Sequence, residues 1–391
     1  MNEVLNQPFQ NWARSLEAAT GGADGVSAGR ARSTGAPKTG SQALLHASLD
    51  QAQPFAPAFD GAMSNHLPMA LHAAWEMGAD AGRLQALVAH ERRKLEAAVA
   101  PTAADQASAL RAAQRQVLGE GRGVADEWLV HRGQPAAYPW LQAYFSALLA
   151  RQSAAQVLAT HLELLLKSPH AFAFHGLIRT AHAWEGGHRG ELAAALATWA
   201  AWWELLPTGA AVAPSQTLAP ADWAQALREL TQGWRSELPM IIYRMRSAAE
   251  TPVYAALAER LTPVLRLAQR REQLLAVARE AYLHSRNFTV LHMITGLRAL
   301  RVLLPLLPEA VDQRPLVAAL DRAAVAGWMA GRLQWQDAVP EPAPQPWPAL
   351  HRAALAQEDE HVIKGVHACW QEDIRQPHPQ WRQVAQRMLA G

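Results

Sequence analysis

The chain has 391 residues, half of them hydrophobic, and its 36 Lys+Arg against 34 Asp+Glu leave a net charge of +2. So small an excess makes no basic face and excludes nucleic acid as the implied partner. The single cysteine, Cys369, excludes an internal disulfide framework and any metal site that needs two or more thiolates.

The opening residues carry Asn, Gln and Glu where a secretory signal needs a charged head and an apolar run. Arg, Glu, Gln or His interrupts each apolar stretch before the roughly 20 residues that span a bilayer, so a cytoplasmic protein with no membrane partner is expected. Residues 2–19 predict a short amphipathic helix through Val4, Phe9, Trp12 and Leu16. Residues 20–42 are rich in Gly, Ser, Thr and Ala and predict a flexible linker. The expected division is therefore an N-terminal helix and linker over 1–42 and one helical domain over 43–391.

From there, helical periodicity predicts elements at about 66–78, 81–98, 103–118, 138–166, 170–185, 188–205, 221–231, 236–247, 251–284, 286–306 and 314–331. Gly78, Pro207, Gly209, Pro239, Pro252 and Pro263 punctuate them. A Pro-rich crossing over 339–348 leads to helices at about 349–356, 359–372 and 379–389. Alternating strand patterns are scarce, so the fold class is all-α: a single large multi-helix domain with a flexible N-terminal segment.

Common catalytic motifs are missing. No GxGxxG occurs, and the run Gly119-Glu120-Gly121-Arg122-Gly123 has the wrong spacing and follows a helix. Gly25-Val26-Ser27-Ala28-Gly29 satisfies GxSxG, but in a linker it lacks the strained turn that the motif requires. With no P-loop, HExxH or CxxC, difficult chemistry falls to histidines and carboxylates.

Four histidines sit among apolar or small residues. His66 lies in Ser64-Asn65-His66-Leu67-Pro68, where Ser64 or Asn65 caps a helix start. His175 follows Ala171-Phe172-Ala173-Phe174, with His182 and Glu185 further along the same helix face. His292 lies within Phe288-Thr289-Val290-Leu291-His292-Met293, and His361 stands about one helical turn before Lys364. Taken singly, each reads as a core imidazole bonded to a carbonyl, and Lys364 as a snorkelling surface lysine. Together, neutral imidazoles on facing helices without Cys suit a mononuclear iron, copper or zinc site. Trp184, Trp199, Trp202 and Trp203 read first as core, and second as an aromatic cleft for a planar ligand.

The runs Met63 to Leu71, His175-Gly176-Leu177-Ile178 through Glu185, Phe288 to Thr295, and His361-Val362-Ile363-Lys364, in that order and spacing, resemble the questin oxidase-like family across residues 43–390. The resemblance implies a largely helical oxygenase that acts on anthraquinones and related aromatic polyketides with O2. It implies either NADPH-dependent Baeyer-Villiger insertion or a non-haem Fe(II) centre. Carried over residue by residue, the latter has His66, His175, His292 and His361 as imidazole ligands and a carboxylated Lys364 as the anionic one. Glu185 is a candidate to orient a ligand histidine, with a plain helix salt bridge as the other reading. Arg179 and His182 stand where the resemblance expects His and an aromatic, which bears on substrate contacts.

The first expectation is an iron-dependent oxygenase on an aromatic ring, with a small aromatic substrate and O2 as its partners. The alternatives are an NADPH-dependent monooxygenase without a tight metal and a non-catalytic helical protein that carries a planar ligand.

Overall fold

The computed structural model describes residues 41–118, 127–336 and 343–390. The helix expected over 2–19 and nearly all of the 20–42 linker lie outside them. Within the described residues the protein is helical apart from one small hairpin, as the periodicity predicts.

Helix α1 (Gln42–Ala52), which starts where the sequence predicts the linker to end, is capped by Ser41, whose hydroxyl accepts from Leu44 N–H. Strands β1 (Ala58–Phe59) and β2 (Met63–Ser64) pair antiparallel, Ala58 opposite Ser64. Asp60 and Gly61, both at positive φ, turn the chain between them. Next come α2 (Leu67–Glu76), α3 (Ala81–Glu91), α4 (Ala103–Leu118), α5 (Tyr138–Leu149) and α6 (Ala154–Leu165). The expected helix 138–166 is broken because Ser153 and Gln156 form a reciprocal capping box that starts α6 afresh.

Helices α7 (His175–Gly186) and α8 (Arg189–Ala201) are nearly encased. They are followed by α9 (Pro220–Thr231), α10 (Ile241–Ala249), α11 (Pro252–Leu257) and α12 (Leu267–Ser285). The helix expected over 251–284 splits around Pro263, which holds the preceding residue extended. Thr262 N–H instead donates to Leu218 O, 2.9 Å away, beside a parallel bridge between Leu218 and Leu261.

The centre is α13 (Phe288–Leu303), which packs against α7, α12, α14 (Arg314–Gly331) and α16 (Glu360–Arg375). Residues 288–306 are apolar and long enough to cross a bilayer by composition, but 72% of that window is buried inside the protein, which marks a core helix. A buried ion network ties α12, α13 and α16 together: Glu372 pairs with Arg271 and, at 3.0 Å, with Arg301. Helices α15 (Trp347–Leu355) and α17 (Gln380–Leu389) close the C-terminal side. Trp347, at the end of the Pro-rich crossing, is half-buried and donates through Nε1 to Asp373 at 2.7 Å.

Candidate metal centre

Helices α2, α7, α13 and α16 meet so that each brings one of the four histidines to a common point. His66 is the N-cap residue of α2. Asn65, wholly buried, fixes that corner: its Nδ2 donates to Ala56 O at 3.1 Å and its Oδ1 accepts from Leu67 N–H at 3.1 Å. Pro68 falls in the first turn, where no N–H is missed.

His175 is the first residue of α7 and is presented by an uncommon backbone. Phe172, Ala173 and Phe174 all have positive φ (54°, 55° and 70°), a region that costs L-residues about 1–2 kcal/mol each. Packing holds the turn. Phe172 stacks on Trp202 with ring centroids 4.6 Å apart, and Phe174 fills the space beside Gly296 and Gly327, where a Cβ would meet its ring at 3.2–3.4 Å. The turn also aims the Phe172 carbonyl at His175 Nδ1, 2.6 Å away.

His292 sits in the first turns of α13, which Asn287 caps by accepting from Thr289 and Val290 N–H. His361 is the second residue of α16, and the capping Asp359 accepts from both its backbone N–H and its Nδ1.

One ligand atom from each of the four rings lies within 4.8 Å of the others. Every Nδ1 is engaged on the far side: His66 with Glu360 at 3.0 Å, His175 with Phe172 O, His292 with Phe288 O at 2.9 Å and His361 with Asp359 at 3.0 Å. An acceptor at Nδ1 keeps the proton there and leaves Nε2 with a lone pair. His66 Nε2 and His175 Nε2 face each other at 2.7 Å, a contact that either a shared proton or a bound cation satisfies. The donor set fits a divalent metal.

The electrostatics agree. Burial, and then the charge of Lys364 and the neighbouring imidazoles, holds His66 and His175 well below the ordinary histidine range. Burial, followed by His361 and Lys364, does the same for His292, and His361 is lowered by burial and Lys364. Neutral imidazoles are the form that binds metal. Lys364 is itself buried, which brings its ammonium down to about 8, and among the described residues no carboxylate lies within ion-pair distance of it. Burial opposes ionisation of Glu360, yet the charges of His361 and Lys364, with Lys94 beyond, hold its carboxyl below the usual range. Lys94 Nζ bridges Glu360 at 3.2 Å and Glu91 at 3.1 Å.

The site approaches the surface beside His361. There the half-exposed ring of Phe288 covers His292 and His361, with centroids 4.7 and 4.6 Å away.

The remaining sequence candidates lie elsewhere. Arg179 makes a buried bidentate pair with Glu191, Nε to Oε1 at 2.6 Å and Nη2 to Oε2 at 2.9 Å. His182 sits two turns along α7 from His175, with His72 rather than with the four. Glu185 pairs with buried Arg298 at 2.6 Å. Trp199 and Trp203 are core residues whose Nε1 atoms donate to Ser168 O and Leu164 O. Sequence reasoning missed Glu360, Asp359 and Phe288; the only signal was their position next to, or one turn from, a candidate histidine.

Residues 63–232 match the questin oxidase-like family. The match supports, over that segment, the resemblance carried by the motifs. This questin oxidase-like segment opens on β2 and takes in His66 and His175, whereas His292, His361 and Lys364 lie beyond it. No curated protein matches the chain.

Proposed function

We propose that this questin oxidase-like protein is a cytoplasmic, iron-dependent oxygenase that inserts oxygen into, or cleaves, a ring of an aromatic polyketide-like substrate. The observation that carries the reading is the convergence of one ring nitrogen from each of four histidines, every ring held through its Nδ1 by a carboxylate or a carbonyl. His66, His175, His292 and His361 would hold the ion. Bound Fe(II) supplies the binding and one-electron activation of O2 that a closed-shell aromatic substrate requires.

The chain's own residues supply the rest. Burial keeps part of the Lys364 amine neutral near pH 8, the form that adds to CO2: the nitrogen bonds to carbon, a proton leaves, and a carbamate oxygen adds an anionic donor to an otherwise neutral set. Helices α2, α7 and α16 direct their N-termini toward the site, and their dipoles favour a phenolate or enolate oxygen there. Phe288, at the exposed edge, offers an aromatic face against which a planar ring can lie.

The test is O2 uptake by Fe(II)-reconstituted protein with a panel of hydroxyanthraquinones. Uptake that requires substrate and is abolished by a chelator and in His292→Ala supports the proposal. Tight binding of the ring compounds with no uptake identifies a carrier. Uptake that needs NADPH and persists in His292→Ala identifies the metal-free monooxygenase.

A further inference from the structure

Below the four histidines, the same helices carry a second layer of nitrogen donors. On α2, His66 is followed six residues later by His72; on α7, His175 is followed after seven by His182; on α16, His361 is followed after six by His367. On α13, the residue six after His292 is Arg298. At 1.5 Å of rise per residue the two layers stand about 9–10 Å apart along the bundle.

The rings and the guanidinium of the lower layer are buried, His72 and His367 at most 1% exposed, His182 4% and Arg298 1%, while Glu185 stands at its exposed edge. His72 Nδ1 lies 2.9 Å from His182 Nδ1, and ligand atoms of His72, His182 and Glu185 all fall within 4.8 Å of one another. The His367 ring stands beside the pair, its centroid 5.4 Å from His182 and 5.9 Å from His72. Neither ring nitrogen of His367 has a hydrogen-bond partner among the described residues, although the side chain is wholly buried. An imidazole in that condition forfeits hydrogen bonds it would make in water, and a metal bond is one way to recover that loss. Gly186, whose Cβ would meet His72 Cδ2 at 3.3 Å, leaves room for the ring.

We infer that His72, His182, His367 and Glu185 form a second divalent-metal site, distinct from the four-histidine centre and stacked beneath it on the same helices. Three imidazoles and one carboxylate make a nitrogen-rich, borderline donor set that suits Zn(II), Co(II), Fe(II) or Cu(II) rather than Mg(II) or Ca(II). Arg298, 2.6 Å from Glu185 Oε2 through Nη2, fixes the carboxylate through one oxygen and leaves the other for the ion. It also explains why the lower layer has three imidazoles where the upper has four: the α13 position is given to the cation that holds Glu185. Burial, followed by the charge of Arg298, keeps His182 and His367 neutral and available as donors.

The test uses crystals of the full chain, stripped of metal and soaked with Co(II), with anomalous differences measured at the cobalt edge. The expected result is a peak among His72, His182, His367 and Glu185. In solution, wild type is expected to bind two Co(II), while His182→Gln and His367→Gln each bind one, or bind the second at least about tenfold more weakly. Circular dichroism on the variants checks that they fold, and the wild-type crystals decide the question without them. No cobalt in the lower layer overturns the inference, whether or not the upper layer is filled. Cobalt in the lower layer with none in the upper supports it and instead removes the basis of the iron-oxygenase reading.

Discussion

His66 Nε2 stands 2.7 Å from His175 Nε2, although their Nδ1 atoms are turned away to Glu360 and to the Phe172 carbonyl. Two elements 109 residues apart in sequence therefore meet through atoms that, unprotonated, repel. Glu360 is what keeps His66 in the form that makes the contact useful, by accepting from Nδ1–H and so holding the proton on that nitrogen.

Glu360→Gln keeps the shape of that contact and removes its charge. Metal affinity is expected to fall about 10- to 100-fold, the usual effect of losing a carboxylate behind a ligand histidine. Competition with a chromophoric chelator measures it. An unchanged affinity means that His66 is oriented by something other than Glu360.

Arg179 is a candidate substrate contact by sequence, but its guanidinium is committed to Glu191, both groups 3% exposed or less. Arg179→Met strands a buried carboxylate and is expected to cost about 3–5 kcal/mol. The double variant Arg179→Met/Glu191→Met recovers most of that loss. Urea titration of the three variants and wild type closes the cycle, and metal content is expected to be unchanged in the double variant.

Gly176, directly after His175, has no room for a side chain: a Cβ there would lie 2.9 Å from Trp199 Cα and 2.8 Å from its Cγ. Backbone cannot yield as a flexible side chain does. Gly176→Ala is expected to destabilise by about 1–3 kcal/mol and to weaken metal binding by displacing His175. Thermal melts and metal affinity report the two effects. Wild-type values for both would show that α7 and α8 slide apart freely.

Acid sensitivity follows from histidines buried neutral. His161, 2% exposed in the core, is lowered by burial to about 4, although Val157 O engages its Nδ1. The unfolded imidazole binds a proton near its ordinary 6.5 while the folded one does not. The stability from this group is therefore complete above pH 6.5 and drains away as pH falls toward 4. Its full loss amounts to about 3 kcal/mol. His161→Phe fits among Trp128, Phe145 and Tyr144 and is expected to flatten the pH 4–6.5 limb of the stability curve by about one proton. A limb of unchanged slope would show that His161 gains its proton while folded.

Much of the fold was legible because long apolar periods with Ala, Leu and Arg between them leave little alternative to helix. What was hidden has local causes. Propensity runs on through residues 150–153, and only the reciprocal capping of Ser153 and Gln156 breaks the helix there. Nothing in Ala171-Phe172-Ala173-Phe174 announces three left-handed residues, because the turn is imposed by Trp202, Gly296 and Gly327 from distant parts of the chain. At the site, the apolar settings of His66, His175, His292 and His361 were visible, and the helices bring those four together. Glu360 and Phe288 were not, since a carboxylate beside a histidine and an aromatic one turn before another are common on any helix. His182 and Glu185 were seen, but they lie about two and three turns along α7 from His175, in the company of His72 and Arg298.

The most direct measurement is iron content after anaerobic reconstitution with Fe(II), by plasma mass spectrometry, for wild type, His66→Ala and His292→Ala with equal folding by circular dichroism. Each variant is expected to hold one iron per chain fewer than wild type. Iron content identical in all three, or no iron retained by wild type, contradicts the proposed iron centre.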